Sequence, residues 1–154
     1  MVEAERTAFY KSDDLGESWE EMNNSRAVTS RPFYFAYVVV DPGDFERVYK
    51  PGSYLAVSTD SGKSFSSIFS GGFEMGVHSD HHALWINPDN SHELLLGTDG
   101  GVYMSYDRAA HFRLIKALPL SQFYEVSFDF DQPYNVFGGL QDNSSWMGPS
   151  RSAG

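Results

Sequence analysis

The 154-residue sequence has no cysteine. That excludes disulfide staples and thiol chemistry, and leaves the cellular compartment open. Cations are scarce: 11 Lys and Arg stand against 21 Asp and Glu, for a formal net charge of −10. Without a basic cluster to neutralise phosphates, nucleic acid is not an expected partner. No apolar run approaches membrane-spanning length, so no membrane partner is expected either. Residues 2–6 lack an apolar signal region. No stretch holds a 3.6-residue apolar period for three turns, so no helix is expected. What the chain does have is aromatics and turn formers: 12 Phe, 9 Tyr, 3 Trp, 14 Gly and 7 Pro. Evenly spaced Gly and Pro between aromatic runs fit an all-β protein, and the length fits one domain with a real core.

One motif organises the chain. It reads SDDLGESW at 12–19, STDSGKSF at 58–65 and SYDRAAHF at 105–112, a frame of Ser-x-Asp-x-Gly-x-x-aromatic whose aspartates lie 46 and 47 residues apart. Such a period marks a repeat architecture. Each copy sits between two apolar runs, which reads as strand, turn, strand. In the turn the carboxylates of Asp14, Asp60 and Asp107 can accept from backbone N–H groups left without partners. Gly16 and Gly62 can take positive φ. Trp19, Phe65 and Phe112 are placed to pack between neighbouring hairpins. The third copy has Ala109 in place of glycine, so that turn is either strained or of another type.

The three copies, with Ser12, Ser58 and Ser105 opening them, closely resemble the Asp-box, or bacterial neuraminidase repeat. That repeat occurs in β-propellers such as sialidases, xyloglucan-active glycosidases and sortilin-type luminal domains. RPFY (31–34), HSDHHALWINPDN (78–90), LLLGTDGG (94–101) and QFYEVSFDFDQPYNVFGGLQDNS (122–144) look like a branch labelled glycosyl-hydrolase-like or sortilin-like. The resemblance implies that the boxes lie between the third and fourth strands of each blade, on the face opposite the ligand site, as structural markers. The family is mostly exported. The expectation is therefore a cytoplasmic product as written, or an exported one if the chain is a segment of a larger member.

The fold expected is all-β, in blades of four antiparallel strands, about three blades per chain, over residues 1–148, with 149–154 a disordered tail. Third-and-fourth-strand hairpins fall at 7–22, 53–69 and 101–117. First-and-second-strand pairs fall at 33–50, 83–97 and 125–139, with a polar link at 23–29. Three blades are too few to close a ring. The second-strand edge at 134–139 and the N-terminal hairpin would then be complementary open edges. A homodimer exchanging these hairpins, closed to six blades, is the expected partner arrangement.

In such a fold the loops at 27–34, 50–53, 70–82, 97–101, 117–124 and 138–145 converge on one face. Three chemistries are open there. The leading expectation is a non-catalytic recognition and assembly module binding glycan or peptide through Arg31, Tyr34, His81, Gln122, Tyr124, Gln141 and Asn143. The second is a glycosidase of the xyloglucanase-like sort, using a carboxylate pair from Asp80, Asp99 and Asp142 as acid and base or nucleophile. The third is a divalent-metal site: in an extended segment His78, Asp80 and His82 share one side and His81 the other, and two imidazoles with a carboxylate suit zinc. No cofactor is otherwise required. Aromatics Phe33, Tyr34, Phe123 and Tyr124 can stack on sugar rings or pack on one another. Sialidase chemistry is disfavoured, because the arginines form no triad and an acidic chain repels an anionic sugar.

Overall fold

A computed structural model describes residues 7–68, 76–118 and 121–151. The parts of the expected loops at 69–75 and 119–120, residues 1–6, and 152–154 of the expected tail lie outside the described residues. Among the described residues thirteen strands form four antiparallel sheets, with one short helix beside them. The first is the hairpin β1 (Phe9–Lys11) and β2 (Glu20–Asn23). The second, the first complete blade, runs β3 (Val39–Asp41), β4 (Asp44–Lys50), β5 (Ala56–Ser58) and β6 (Ser66–Ser67). The second blade runs β7 (His81–Ile86), β8 (Leu94–Thr98), β9 (Gly101–Ser105) and β10 (Arg113–Leu114). The fourth sheet, termed the third sheet because it stands in the place of a third blade, is β11 (Phe123–Phe128), β12 (Asn135–Leu140) and β13 (Ser145–Pro149). The chain is thus an all-β partial propeller, as its repeat implies.

The motif turns show why the repeat exists. Ser12 Oγ donates to Asp14 Oδ1 (2.7 Å) and accepts from Gly16 N (2.8 Å), while Asp14 Oδ1 accepts from Ser18 N (2.9 Å). The same bonds recur around Ser58 and Asp60 and around Ser105 and Asp107. Serine and aspartate therefore satisfy the donors of a loop that has no ladder partners. Each turn carries two consecutive positive-φ residues: Leu15 and Gly16, Ser61 and Gly62, Arg108 and Ala109. Ala109 keeps the glycine geometry at φ 70°, so the third copy is the same turn under strain, not another type. Of the three aromatics, Phe65 meets Phe9 edge-on with ring centres 5.7 Å apart, and Phe112 packs against the core. Trp19 is half exposed, and its indole N–H donates to Gly16 O of its own turn.

The core lies between the two complete blades. Val39, Tyr49 and Val57 are cross-strand partners on one side of the first blade, and with Leu55 they meet Leu84, Leu96, Tyr103 and Leu114, cross-strand partners on one side of the second. Ile86 and Leu94 extend that side.

Three expectations are corrected. A single-turn helix, α1 (Arg26–Thr29), stands in the link read as polar coil. It buries Val28 and hangs from Ser25 O, which accepts from Val28 N and Thr29 N. One turn is too short to show a period. The strand expected from residue 33 begins only at Val39, because Arg31 adopts φ 48° and its carbonyl accepts from Tyr34 N and Phe35 N. The buried ammonium of Lys50 then fixes that turn by donating to Phe35 O (2.6 Å) and Pro51 O (2.8 Å). Burial lowers its pKa to about 8. Finally, the edge expected to lie open at 134–139 is paired along its length with β13, from Asn135↔Pro149 to Gly139↔Ser145. The hairpin exchange drawn from the sequence therefore lacks its acceptor edge, and Pro149 belongs to a strand and not to the tail.

Candidate functional site

The lead-in and hairpin loops at one end of the sheets are bonded to each other. Asp80 N donates to Ser53 O and His81 N to Gly52 O, fixing the start of the second blade on the first. Asp99 N donates to Asp80 O (3.3 Å). Asn143 Nδ2 donates to Asp99 O (2.7 Å), and Gln141 N to Gln122 O (3.0 Å). Positive φ clusters here too, at Arg31, Asp80, Asp142 and Ser144. Left-handed non-glycine residues cost energy and persist where surrounding bonds over-determine them, often at functional sites.

The candidate carboxylates come near one another in backbone, but each has its own side-chain partner. Asp80 Oδ1 lies 3.2 Å from the Arg31 guanidinium. Asp99 Oδ1 lies 2.9 Å from His82 Nε2. Asp142 accepts from the side chain of Gln141.

The metal expectation meets a different geometry. The left-handed Asp80 (φ 58°) breaks the alternation that would have put His78, Asp80 and His82 on one side. His78 turns back to Ser79 O (3.0 Å), Asp80 goes to Arg31 and His82 to Asp99. Among the described residues no three His, Asp or Glu side chains are grouped to hold an ion.

His81, expected to touch ligand, is corrected to an interior residue. It is 1% exposed, and its Nε2 bonds His78 O at 2.9 Å. Burial pulls its pKa down to about 4, so the ring is held neutral.

Two exposed aromatic groups frame this end. Phe33 and Tyr34 meet on the surface with ring centres 5.0 Å apart and planes tilted by 55°, and the Arg31 guanidinium lies 5.2 Å from the Tyr34 ring centre. A cleft of about 660 Å³ opens between the second blade and the third sheet, lined by Thr98, Asp99, Gln122, Leu140, Asn143 and Trp146. Trp146 is 65% exposed on the cleft wall. Sequence reading missed it, because β13 has no motif turn after it and so gave no repeat signal. The apolar pair Trp146-Met147 directly after the turn residues at 141–144 was the cue. Tyr124 stands exposed at the bulge between Phe123 and Glu125 and does not line that cleft.

Comparison with known proteins adds the fold's relatives. No family model matches the chain, and no curated protein matches it. Among solved structures it is similar to a GH74 enzyme of Niastella koreensis, at 15% identity and a TM-score of 0.59, covering 92% of this chain and 24% of that one. It is similar also to an ancestral GH74 enzyme, at 16% identity and a TM-score of 0.54, covering 94% of this chain and 20% of that one. A GH74 xyloglucanase of Xanthomonas campestris aligns at 13% identity over 71% of the chain, with a TM-score of 0.47. The chain thus spans a quarter or less of the enzymes it matches, and at these identities the likeness concerns the fold.

Proposed function

We propose that the chain belongs to the Asp-box propellers and acts as a non-catalytic recognition module, taking a neutral glycan in the cleft between the second blade and the third sheet. The observation that carries this is the pairing of an exposed indole with side-chain amide groups on the cleft wall. Trp146 offers a flat apolar face, while the Gln122 amide offers donors and an acceptor beside it and Asn143 Oδ1 an acceptor, the Asn143 N–H groups being held by Asp99 O and Gln141 O. Sugars are bound by this combination: ring faces stack on aromatics and hydroxyls take directional bonds. The exposed, tilted Phe33–Tyr34 pair supplies a second aromatic surface at the same end of the sheets. Neutral sugars are favoured because a chain of net charge −10 repels anionic ones.

The glycosidase reading is the alternative, supported by the GH74 enzymes among the fold's neighbours. It asks Asp80, Asp99 or Asp142 for an acid and a base. All three are engaged by Arg31, His82 and Gln141, which is why recognition is preferred. A metal reading would require His78, Asp80 and His82 to regroup.

A panel of neutral oligosaccharides, read in parallel for binding and for released reducing ends, separates these readings. The proposal expects retention without product, and no stoichiometric zinc, manganese or nickel in chelator-free protein. Product release that disappears with Asp99→Asn would establish the enzyme instead.

A further inference from the structure

The turns that join the first two strands of the second blade and of the third sheet are built alike. Ile86 ends β7 and pairs with Leu94; Phe128 ends β11 and pairs with Val136. The next residue then bonds across to one six further on, Asn87 N to Glu93 O and Asp129 N to Asn135 O. Its side chain also holds the turn. Asn87 Oδ1 accepts from Asp89 N (3.0 Å), and Asp129 Oδ1 accepts from Asp131 N (3.2 Å) and Asn135 N (2.8 Å). None of these bonds needs an aromatic ring. The turn at 87–92 reads NPDNSH, without Phe, Tyr or Trp, whereas the turn at 129–134 reads DFDQPY. Phe130 and Tyr134 are therefore not explained by the turn they occupy.

With Phe128 they form a cluster. The Phe128 and Phe130 ring centres lie 5.9 Å apart with planes at 74°, and those of Phe128 and Tyr134 lie 6.0 Å apart at 65°. All three rings line one hollow of about 370 Å³, together with Asp129, Asp131 and Gln132. Near-perpendicular rings at this spacing can turn their faces to a shared point about 4 Å from each centre, inside the ~6 Å over which a ring face attracts a cation. These rings are open to solvent: Phe130 is 94% exposed, and Phe128 64% where Ile86 is 6%. The other walls are anionic or neutral. Bonds from Asn135 hold the Asp129 carboxyl below its ordinary range, so it stays ionised. Asp131 is exposed and in no ion pair among the described residues. No described Lys or Arg lines the hollow; Arg151 lines an adjoining one and lies over none of the three rings.

We propose that Phe128, Phe130, Tyr134 and Asp131 form a binding site for an alkylated ammonium group, the head group of choline or of a methylated lysine. Ring faces can cover the methyl groups of such a cation at little cost in hydration, and Asp131 supplies the opposite charge. The net charge of −10 favours its approach. The site shares no residue with the cleft beside Trp146 and does not depend on the glycan reading.

The test is a titration of the full chain, followed through its backbone amide resonances at fixed ionic strength. Two probes carry the head group, choline chloride and an acetylated, amidated trimethyllysine. Saturable shifts centred on residues 128–134 are expected, and the tighter probe names the source, a free small molecule or a modified protein side chain. Dimethylbutanol, the neutral isostere of choline with carbon in place of nitrogen, should bind at least about fivefold more weakly. Phe130→Ala should weaken the tighter probe by about fivefold or more, with the spectrum of the other sheets unchanged because the ring is exposed. Asp131→Asn should weaken it less and reduce its dependence on salt. Equal binding of choline and its isostere would reduce the hollow to an apolar surface and overturn the proposal. So would shifts that Phe130→Ala leaves unchanged, or no saturable shift with either cation.

Discussion

The second blade and the third sheet carry the same strand registers and nearly opposite burial. Leu94, Leu96 and Tyr103 sit in the core, while Val136 and Trp146 are exposed, Trp146 on the cleft wall. Residue type does not explain the difference, because both sets are apolar or aromatic. The second blade has a neighbour on that side and the third sheet does not. Hydrophobic stabilisation follows area removed from water, so one pattern stabilises the fold in one place and leaves a surface for use in the other.

The largest effect should come from breaking the comparison at matched positions. Ile86→Ala is expected to cost about 2–5 kcal/mol, as buried large-to-small changes do. Phe128→Ala, at the exposed counterpart position, is expected to cost under ~0.5 kcal/mol. Urea unfolding of the two variants gives both numbers.

Acid should separate interior from surface in a different way. His81 is held neutral with a pKa near 4, below its ordinary 6.5, so the unfolded chain binds the extra proton first. Stability is then full above about pH 6.5 and falls as pH drops toward 4, by at most roughly 3 kcal/mol. A second loss follows lower down. Bonds chiefly from Ser18, Ser64 and His111 hold Asp14, Asp60 and Asp107 near 2, below their ordinary 3.8, so their contribution is lost as pH falls from about 4 through 2. Replacing His81 with Gln should flatten the upper limb and leave the lower one, as read by melting temperature across pH.

The motif turns give a smaller and sharper contrast. Gly62 has φ 89°, and a Cβ there would lie 2.0 Å from the Phe9 ring. Gly62→Ala should cost roughly 1–3 kcal/mol and loosen the first hairpin from the first blade. The converse change, Ala109→Gly, relieves an alanine at φ 70°. It is expected to be neutral to stabilising by up to ~1 kcal/mol, a net of relieved strain and added chain entropy. Thermal unfolding of both variants checks the signs.

Much of this architecture was legible because the repeat turn is chemically demanding. Ser, Asp and two positive-φ positions in eight residues have few other uses, so the turns and the strands beside them could be placed from spacing. Ala109 was flagged by the same logic. The missed elements lacked such a demand. α1 is one turn long, and β13 has no motif turn following it. At the candidate site the loops were correctly expected to converge, and Asp80, Asp99, Gln122 and Asn143 do meet there. Their partners were not legible. Alternation assumed an extended segment at 78–82, and the left-handed Asp80 sent His78, Asp80 and His82 three ways. His81 became an interior residue and not the ligand contact expected of it, while Trp146 took a place on the cleft wall.

The central claim is that the cleft beside Trp146 recognises a neutral glycan without cleaving it. Calorimetric titration of neutral oligosaccharides into the wild-type chain and into Trp146→Ala tests it most directly, with the titrated samples assayed for reducing ends. Binding should weaken at least about tenfold on loss of the indole, equivalent to ~1.4 kcal/mol, with no sugar released by either protein. Equal binding by both proteins, or reducing ends released by the wild type, would contradict the claim.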